Sequence, residues 1–245
     1  MKLYFLVEGE QTEKRLYHAW LGLCFPHLTR VDQPADLAND SYFILAGRGY
    51  PAYLTRIRGA FEDSVNHGVS HLFICIDAEE KPYAERLNEV QDILNDAAKE
   101  FQGQGFSYHG KVHIVVATCC IESWLLGHRR LIPRTNLSPA LAKFKQFYDV
   151  SAADPELMTR PEGYVTRASF HLEYLRELFR HHKTNYSKSR PGMATEANYL
   201  SALRERSLEN ASPAPHLSSF RILWEAWSAM GAQLHVGKSP SPTLP

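Results

Sequence analysis

Acidic side chains recur where apolar runs of this sequence stop. Glu8 follows the run Lys2–Val7, Asp77 follows His71–Ile76 with Glu79 and Glu80 just beyond, and Glu122 stands a few residues after Lys111–Ala117. A fourth run, Ser41–Ala46, closes instead on Gly47, Arg48 and Gly49. If these runs are parallel strands, their carboxyl ends share one edge of a sheet, the edge at which open α/β sheets bind ligands. Carboxylates crowded there repel and raise one another's pKa unless a cation neutralises them. Hard oxygen donors of this kind suit Mg²⁺ or Mn²⁺. Such an ion polarises a phosphoryl oxygen and activates a water for phosphodiester hydrolysis.

Each acid alone has a bland explanation. Glu8 and Glu122 stand near helix starts, where the helix dipole favours negative charge, and Asp77 suits a turn or an N-cap. Their co-location favours the metal reading. Glu79 sits two residues past Asp77, so an extended chain would aim both side chains the same way. Glu13, one helical turn into the first helix, serves either as a further ligand or as solvated surface. Arg48 is either a phosphate contact or an ordinary loop arginine. Basic residues gather at His128-Arg129-Arg130 with Arg134, and again from Arg176 to Arg190. At helical spacing Arg176, Arg180 and Lys183 share a face that would attract a phosphate backbone in a salt-dependent way; the competing reading is a solvated helix face. Lys188 is placed to approach the carboxylates and stabilise transition-state charge.

The elements that must position these residues are legible as alternation. Helical periodicity spans Thr12–Leu23, Pro51–His67 and Pro82–Glu100, and Glu122–Leu126 opens another helix. Strand and helix alternating with short connections predict an α/β fold with a mostly parallel sheet flanked by helices over residues 1–130. Residues 131–234 read as a mainly helical extension packed on that core, with helices expected at His171–His182, Glu196–Arg206 and Ser218–Met230. Residues 131–170 carry four prolines and little periodicity. Residues 235–245 read as a disordered tail.

Composition bounds the partners. The 245 residues carry 27 basic and 27 acidic side chains, so any nucleic-acid footprint must be local. The four cysteines, Cys24, Cys75, Cys119 and Cys120, lie in or beside apolar runs without paired C-x-x-C spacing. They read as buried free thiols, with Cys119 and Cys120 on opposite faces of a strand. No signal peptide is apparent, and no stretch reaches the ~18 apolar residues a membrane span needs. A cytoplasmic protein without a membrane partner is expected.

Three of these segments resemble a known family. Glu8-Gly9-Glu10-Gln11-Thr12-Glu13 resembles the first motif of TOPRIM domains, in the form seen in RloB-like proteins and, one residue shorter, in OLD-family nucleases. Ile76-Asp77-Ala78-Glu79 resembles the TOPRIM D-x-D motif, with Glu79 in place of the second aspartate. Cys120-Ile121-Glu122-Ser123-Trp124-Leu125-Leu126 with His128 resembles an E-x-W-L-L-x-H signature of the same small proteins, and Tyr186-Ser187-Lys188 a downstream Y-x-K. Ser219-Phe220 and the last helix are similar in kind. The resemblance implies a TOPRIM-like, Rossmann-like core in which Glu8, Asp77 and Glu79 bind metal. It also implies a bacterial antiviral-defence setting with an ABC-type or AAA-type ATPase partner.

The leading expectation is a Mg²⁺- or Mn²⁺-dependent nuclease acting on DNA or RNA. In it Glu8, Asp77, Glu122 and Lys188 are catalytic and Glu13 and Glu79 are further metal ligands. Arg48, Arg129, Arg130, Arg180 and Lys183 contact nucleic acid. The alternative is a non-catalytic module of the same fold that binds nucleic acid or the ATPase. A receiver-like regulatory domain ranks third, because it leaves Glu122 unexplained. Self-association stays open.

Overall fold

The computed structural model describes residues 1–210 and 214–234; the expected tail at 235–245 lies outside the described residues. Five strands form one sheet: β1 (Lys2–Val7), β2 (Thr29–Arg30), β3 (Ser41–Ala46), β4 (His71–Asp77) and β5 (Lys111–Ala117). Their order is β2-β3-β1-β4-β5 and every pairing is parallel. The helices are α1 (Thr12–Cys24), α2 (Ala52–Asn66), α3 (Tyr83–Gly103), α4 (Ile121–Leu125), α5 (Pro139–Phe147), α6 (Arg167–His181), α7 (Ala197–Leu208) and α8 (Ser218–Ala229). The chain is therefore α/β, with helices on both faces of a parallel sheet.

Four of the strands are the four apolar runs, because a strand buried on both faces reads as continuous hydrophobicity. Alternation along β1 divides the core. Leu3, Phe5 and Val7 face one way with Phe73, Cys75, Val115 and Ala117, under α1 and the helices that follow β5. Tyr4 and Leu6 face the other way with Leu72, Ile74, Ile76 and Val116, under α2 and α3. The first face continues without a break into the C-terminal helices: Trp227 of α8 packs edge-on against Phe5, Tyr17 and Phe25. The C-terminal helices thus complete a core that the sheet alone would leave exposed.

Three elements differ from the sequence expectation: α6 begins at Arg167, four residues before the expected His171, and the other two are β2 and α5. Edge strand β2 has two residues, both exposed, so no apolar run marks it. Helix α5 falls in the proline-rich stretch. Pro139 occupies its first turn, where the missing N–H costs nothing, and the Ser138 hydroxyl caps it by accepting from the Leu141 N–H at 3.1 Å. Among the described residues, no helix is long and apolar enough to cross a membrane.

From β1 the chain runs through α1 to β2 and then β3 on one side, and α2 carries it across β1 to β4 and β5 on the other. The topological switch point is therefore the crevice between the carboxyl ends of β1 and β4, where such sheets bind ligands.

Candidate metal centre

Glu8 is the first residue past β1 and Asp77 is the last of β4, so the two acids flank that crevice. The Asp77 backbone N–H donates to Glu8 Oε2 at 2.9 Å, joining the two strand ends through the carboxylate itself. Glu122 enters from the far side of β4, in the first turn of α4, and only 4% of it is exposed. Glu13 comes from the first turn of α1. Its carboxylate folds back over Gly9, where a Cβ would stand 2.1 Å from Oε2. The absence of a side chain at Gly9 is what allows this approach.

Glu8, Glu13, Asp77, Glu79, Glu122 and Lys188 all line one cavity of about 690 Å³. Burial raises the Asp77 carboxyl well above its ordinary range, and Glu8, Glu13 and Glu122 add to the rise. Burial also raises Glu8, with Glu79 adding to it. Glu13 is pushed up to about 7 by burial and by Glu122 and Glu8, against the pull of Lys188. Lys188 itself, despite the downward pull of burial, is raised by Glu122, Glu13 and Asp77. These shifts are those of a negative cluster lacking its countercharge.

Two C-terminal contributions finish the cavity. Residues Ser187–Arg190 form a tight turn closed by backbone hydrogen bonds of 3.1 and 2.9 Å. Thr12 at the start of α1 holds that turn by donating to the Lys188 carbonyl at 3.1 Å. Beside it the buried Tyr186 hydroxyl donates to Glu122 Oε1 at 3.0 Å. The segment after β5 is braced by the Ser219 hydroxyl, which accepts from the Thr118 N–H at 3.2 Å and from Trp124 Nε1 at 2.7 Å. Ser219 in turn donates to buried Glu156, which also accepts from the Ser219 N–H at the N-terminus of α8. Glu156 was not singled out from the sequence, and no local spacing marks it.

Several expected details are corrected. The chain does not stay extended past Asp77: Glu79 has φ 53°, so strand alternation does not place it beside Asp77. Glu79 reaches the cavity wall through a turn, held by its N–H donating to the Cys119 carbonyl at 2.7 Å and its carbonyl accepting from Arg167. Cys119 and Cys120 do not project to opposite faces of a strand. β5 ends at Ala117, and Cys119 has φ 72°. All four cysteines are buried and free, as expected. Lys183 shares no helix face with Arg176 and Arg180, since α6 ends at His181 and Lys183 turns away at φ 55°.

The basic residues are dispersed. Arg48 pairs with Glu10 at 3.2 Å on the exposed loops beside the cavity. Arg129 pairs with Glu209 and Arg130 with Glu205, on α4's far side toward α7. Arg176 and Arg180 each pair, at 2.5 Å, with the glutamate three residues earlier on α6. None of these arginines, nor Lys183, lines the cavity.

No protein-family model, curated protein or solved structure matches this chain.

The donor set decides which cation the carboxylates fit. All their ligand atoms are hard oxygens, but no three of them close to within 4.8 Å of one another among the described residues. That spacing suits a small hydrated ion better than an all-protein cage. Mg²⁺ keeps several waters, so it would take one or two of these carboxylates directly and reach the others through water.

Proposed function

We propose that this chain is a divalent-metal-dependent nuclease. Glu8, Asp77 and Glu122 hold Mg²⁺ or Mn²⁺, with Glu13 and Glu79 as outer or second-ion ligands. The observation that carries this reading is the convergence of acids from three strand ends at the topological switch point, with Asp77, Glu8 and Glu13 all raised in pKa. When bound, the cation supplies charge neutralisation at a phosphate oxygen and a more acidic water. The chain's own residues do the rest. Glu13, on the cavity wall, would accept a proton from the attacking water. Lys188 places a positive charge on the cavity wall, where a phosphate's developing charge is stabilised. Tyr186 fixes the Glu122 carboxylate through its hydroxyl. The order of the motifs around Glu8, Asp77 and Glu122 supports a TOPRIM-like assignment, and with it a role in antiviral defence beside an ATPase partner.

The wide spacing of the carboxylates favours one other reading, a cavity that recognises a metal–phosphate group without cutting it. Calorimetric titration of Mn²⁺ into wild type, Glu8→Ala and Asp77→Ala, followed by plasmid and structured-RNA cleavage assays, separates the outcomes. The expected result is Mn²⁺ binding weakened at least about 100-fold in both variants, a loss of about 2.7 kcal/mol, with cleavage only by wild type. Binding without cleavage selects the recognition reading. Mn²⁺ binding that survives in both variants refutes the carboxylate site.

A further inference from the structure

Behind the acidic wall lies a second group of donors that the proposed phosphodiester chemistry does not use. A sulphur from each of Cys119 and Cys120 and a ring nitrogen of His171 lie within 4.8 Å of one another, and all three residues are buried. This is the only set of three such ligand atoms that converges so closely among the described residues. It is also chemically distinct: two thiols and an imidazole are soft and borderline donors, whereas the acids of the cavity offer hard carboxylate oxygens.

The local structure prepares these atoms for a ligand. His171 Nε2 lies 3.0 Å from the Met158 carbonyl, which can only accept, so Nε2 carries the ring proton. Nδ1 then presents its lone pair, 3.9 Å from Cys120 Sγ and 2.8 Å from Ser123 Oγ. A carbonyl fixing the distal nitrogen is the usual support behind a metal-binding histidine. The backbone contributes as well. Successive side chains of a strand diverge, and the two sulphurs meet because Cys119 adopts φ 72°, a left-handed conformation rare for a residue with a Cβ. Cation–sulphur bonds of about 2.3 Å and cation–nitrogen bonds of about 2.0 Å at tetrahedral angles put sulphur and nitrogen roughly 3.5 Å apart. The Cys120–His171 pair already stands within half an ångström of that separation. The Ser123 hydroxyl lies 3.6 Å from the same sulphur, so it borders the position a cation would take.

We propose that Cys119, Cys120 and His171 form a binding site for a soft or borderline cation, Zn²⁺ first among them. The cation takes both cysteines as thiolates, any thiol proton leaving to solvent, and two thiolates neutralise the dication, so the buried site carries no net charge. Three protein donors leave a fourth position for Ser123 or for a ligand from the cavity, whose wall includes Cys120. The site would also brace the acidic cavity. The Cys119 carbonyl holds the Glu79 N–H, and Cys120 is the N-cap of the helix that carries Glu122.

The test uses the reduced full-length protein, stripped of metal and titrated with Co²⁺ as an optical probe. Cobalt bound through thiolate gives an intense near-ultraviolet charge-transfer band; cobalt held by carboxylates alone does not. The expected result is a band saturating at one equivalent and displaced by Zn²⁺. It should be lost in Cys119→Ser and Cys120→Ser, shifted in His171→Gln, and retained in Glu8→Gln and Asp77→Asn. Circular dichroism reports whether each variant folds. A folded wild type without the band overturns the proposal even if every cysteine variant misfolds, as does a band that persists in both serine variants. Mn²⁺ calorimetry reads the carboxylates separately, so either site can fail without the other.

Discussion

The acidic cavity and the thiol–imidazole cluster both draw on residues 118–123, yet they manage buried charge in opposite ways. The carboxylates stand apart around an open cavity, raise one another's pKa and receive partial compensation from Lys188. The sulphurs and the imidazole are buried and converge within 4.8 Å, with the imidazole Nδ1 2.8 Å from the Ser123 hydroxyl. A cavity of the first kind exchanges hydrated ions and substrate. A cluster of the second kind holds a cation permanently or serves as a polar knot in the core. The contrast predicts that the two respond differently to protons, to bracing and to distant charge.

Protons should separate them most. Glu13 is raised from 4.5 to about 7 and burial raises Asp77 well above its ordinary range, so below neutral pH a cation competes with protons for these oxygens. Mn²⁺ affinity should climb about tenfold per pH unit for each proton displaced as pH rises through 6 to 7. The stability of the metal-free protein should move the other way. Between about 4.5 and 7 the folded chain holds the Glu13 proton that the unfolded chain has released, so unfolding becomes easier as pH rises through this window. Added Mn²⁺ should reverse that loss. Calorimetry and thermal melts at pH 5.5, 6.5 and 7.5, each with and without Mn²⁺, check both signs; an Mn²⁺ affinity flat across this range would remove Glu13 and Asp77 from the coordination sphere.

Bracing should affect both regions together, by a smaller amount. Ser219 ties Thr118 and Trp124 to Glu156, and the segment so held carries Cys119, Cys120 and Glu122. Ser219→Ala leaves the buried Trp124 Nε1 and Thr118 N–H without their acceptor, a cost of about 1–3 kcal/mol. Denaturant unfolding should register that loss, and Mn²⁺ and Co²⁺ binding should both weaken. If only one metal responds, the two sites do not share this support.

How much of this was readable in advance follows from the range of each interaction. The ends of β1, β3 and β5 and the acids that follow the strands are written locally, because a buried strand is an unbroken apolar run and a solvent-seeking carboxylate ends it. Glu8, Asp77 and Glu122 could therefore be placed on one edge once the runs were read as parallel strands. The partners that complete the cavity are not marked by any apolar run, and even where a resemblance picks out Tyr186 and Ser219, local sequence does not say what they touch. Tyr186 reaches Glu122 across 64 residues, His171 reaches Cys120 across 51, and Ser219 reaches Trp124 across 95. Backbone turns were equally silent: Glu79 and Cys119 adopt positive φ without being glycine, and each overturns a placement based on strand alternation.

Distant charge should matter least, and here the structure sharpens a sequence expectation into a discriminating measurement. α6 meets the cavity at its N-terminal end, through Ala168, Ser169 and Leu172. Arg180 stands eight residues beyond Leu172, about 12 Å along the axis at 1.5 Å per residue, and already pairs with Glu177. An exposed pair on one helix contributes only a few tenths of a kcal/mol. Arg180→Ala should therefore change stability by less than about 0.5 kcal/mol. Its effect on the affinity for a labelled oligonucleotide, followed by anisotropy at two salt concentrations, should be less than about twofold. A tenfold loss, with a shallower salt dependence, would mean that substrate extends from the cavity along α6. The arginines at 176 and 180 would then form a docking track rather than a solvated face.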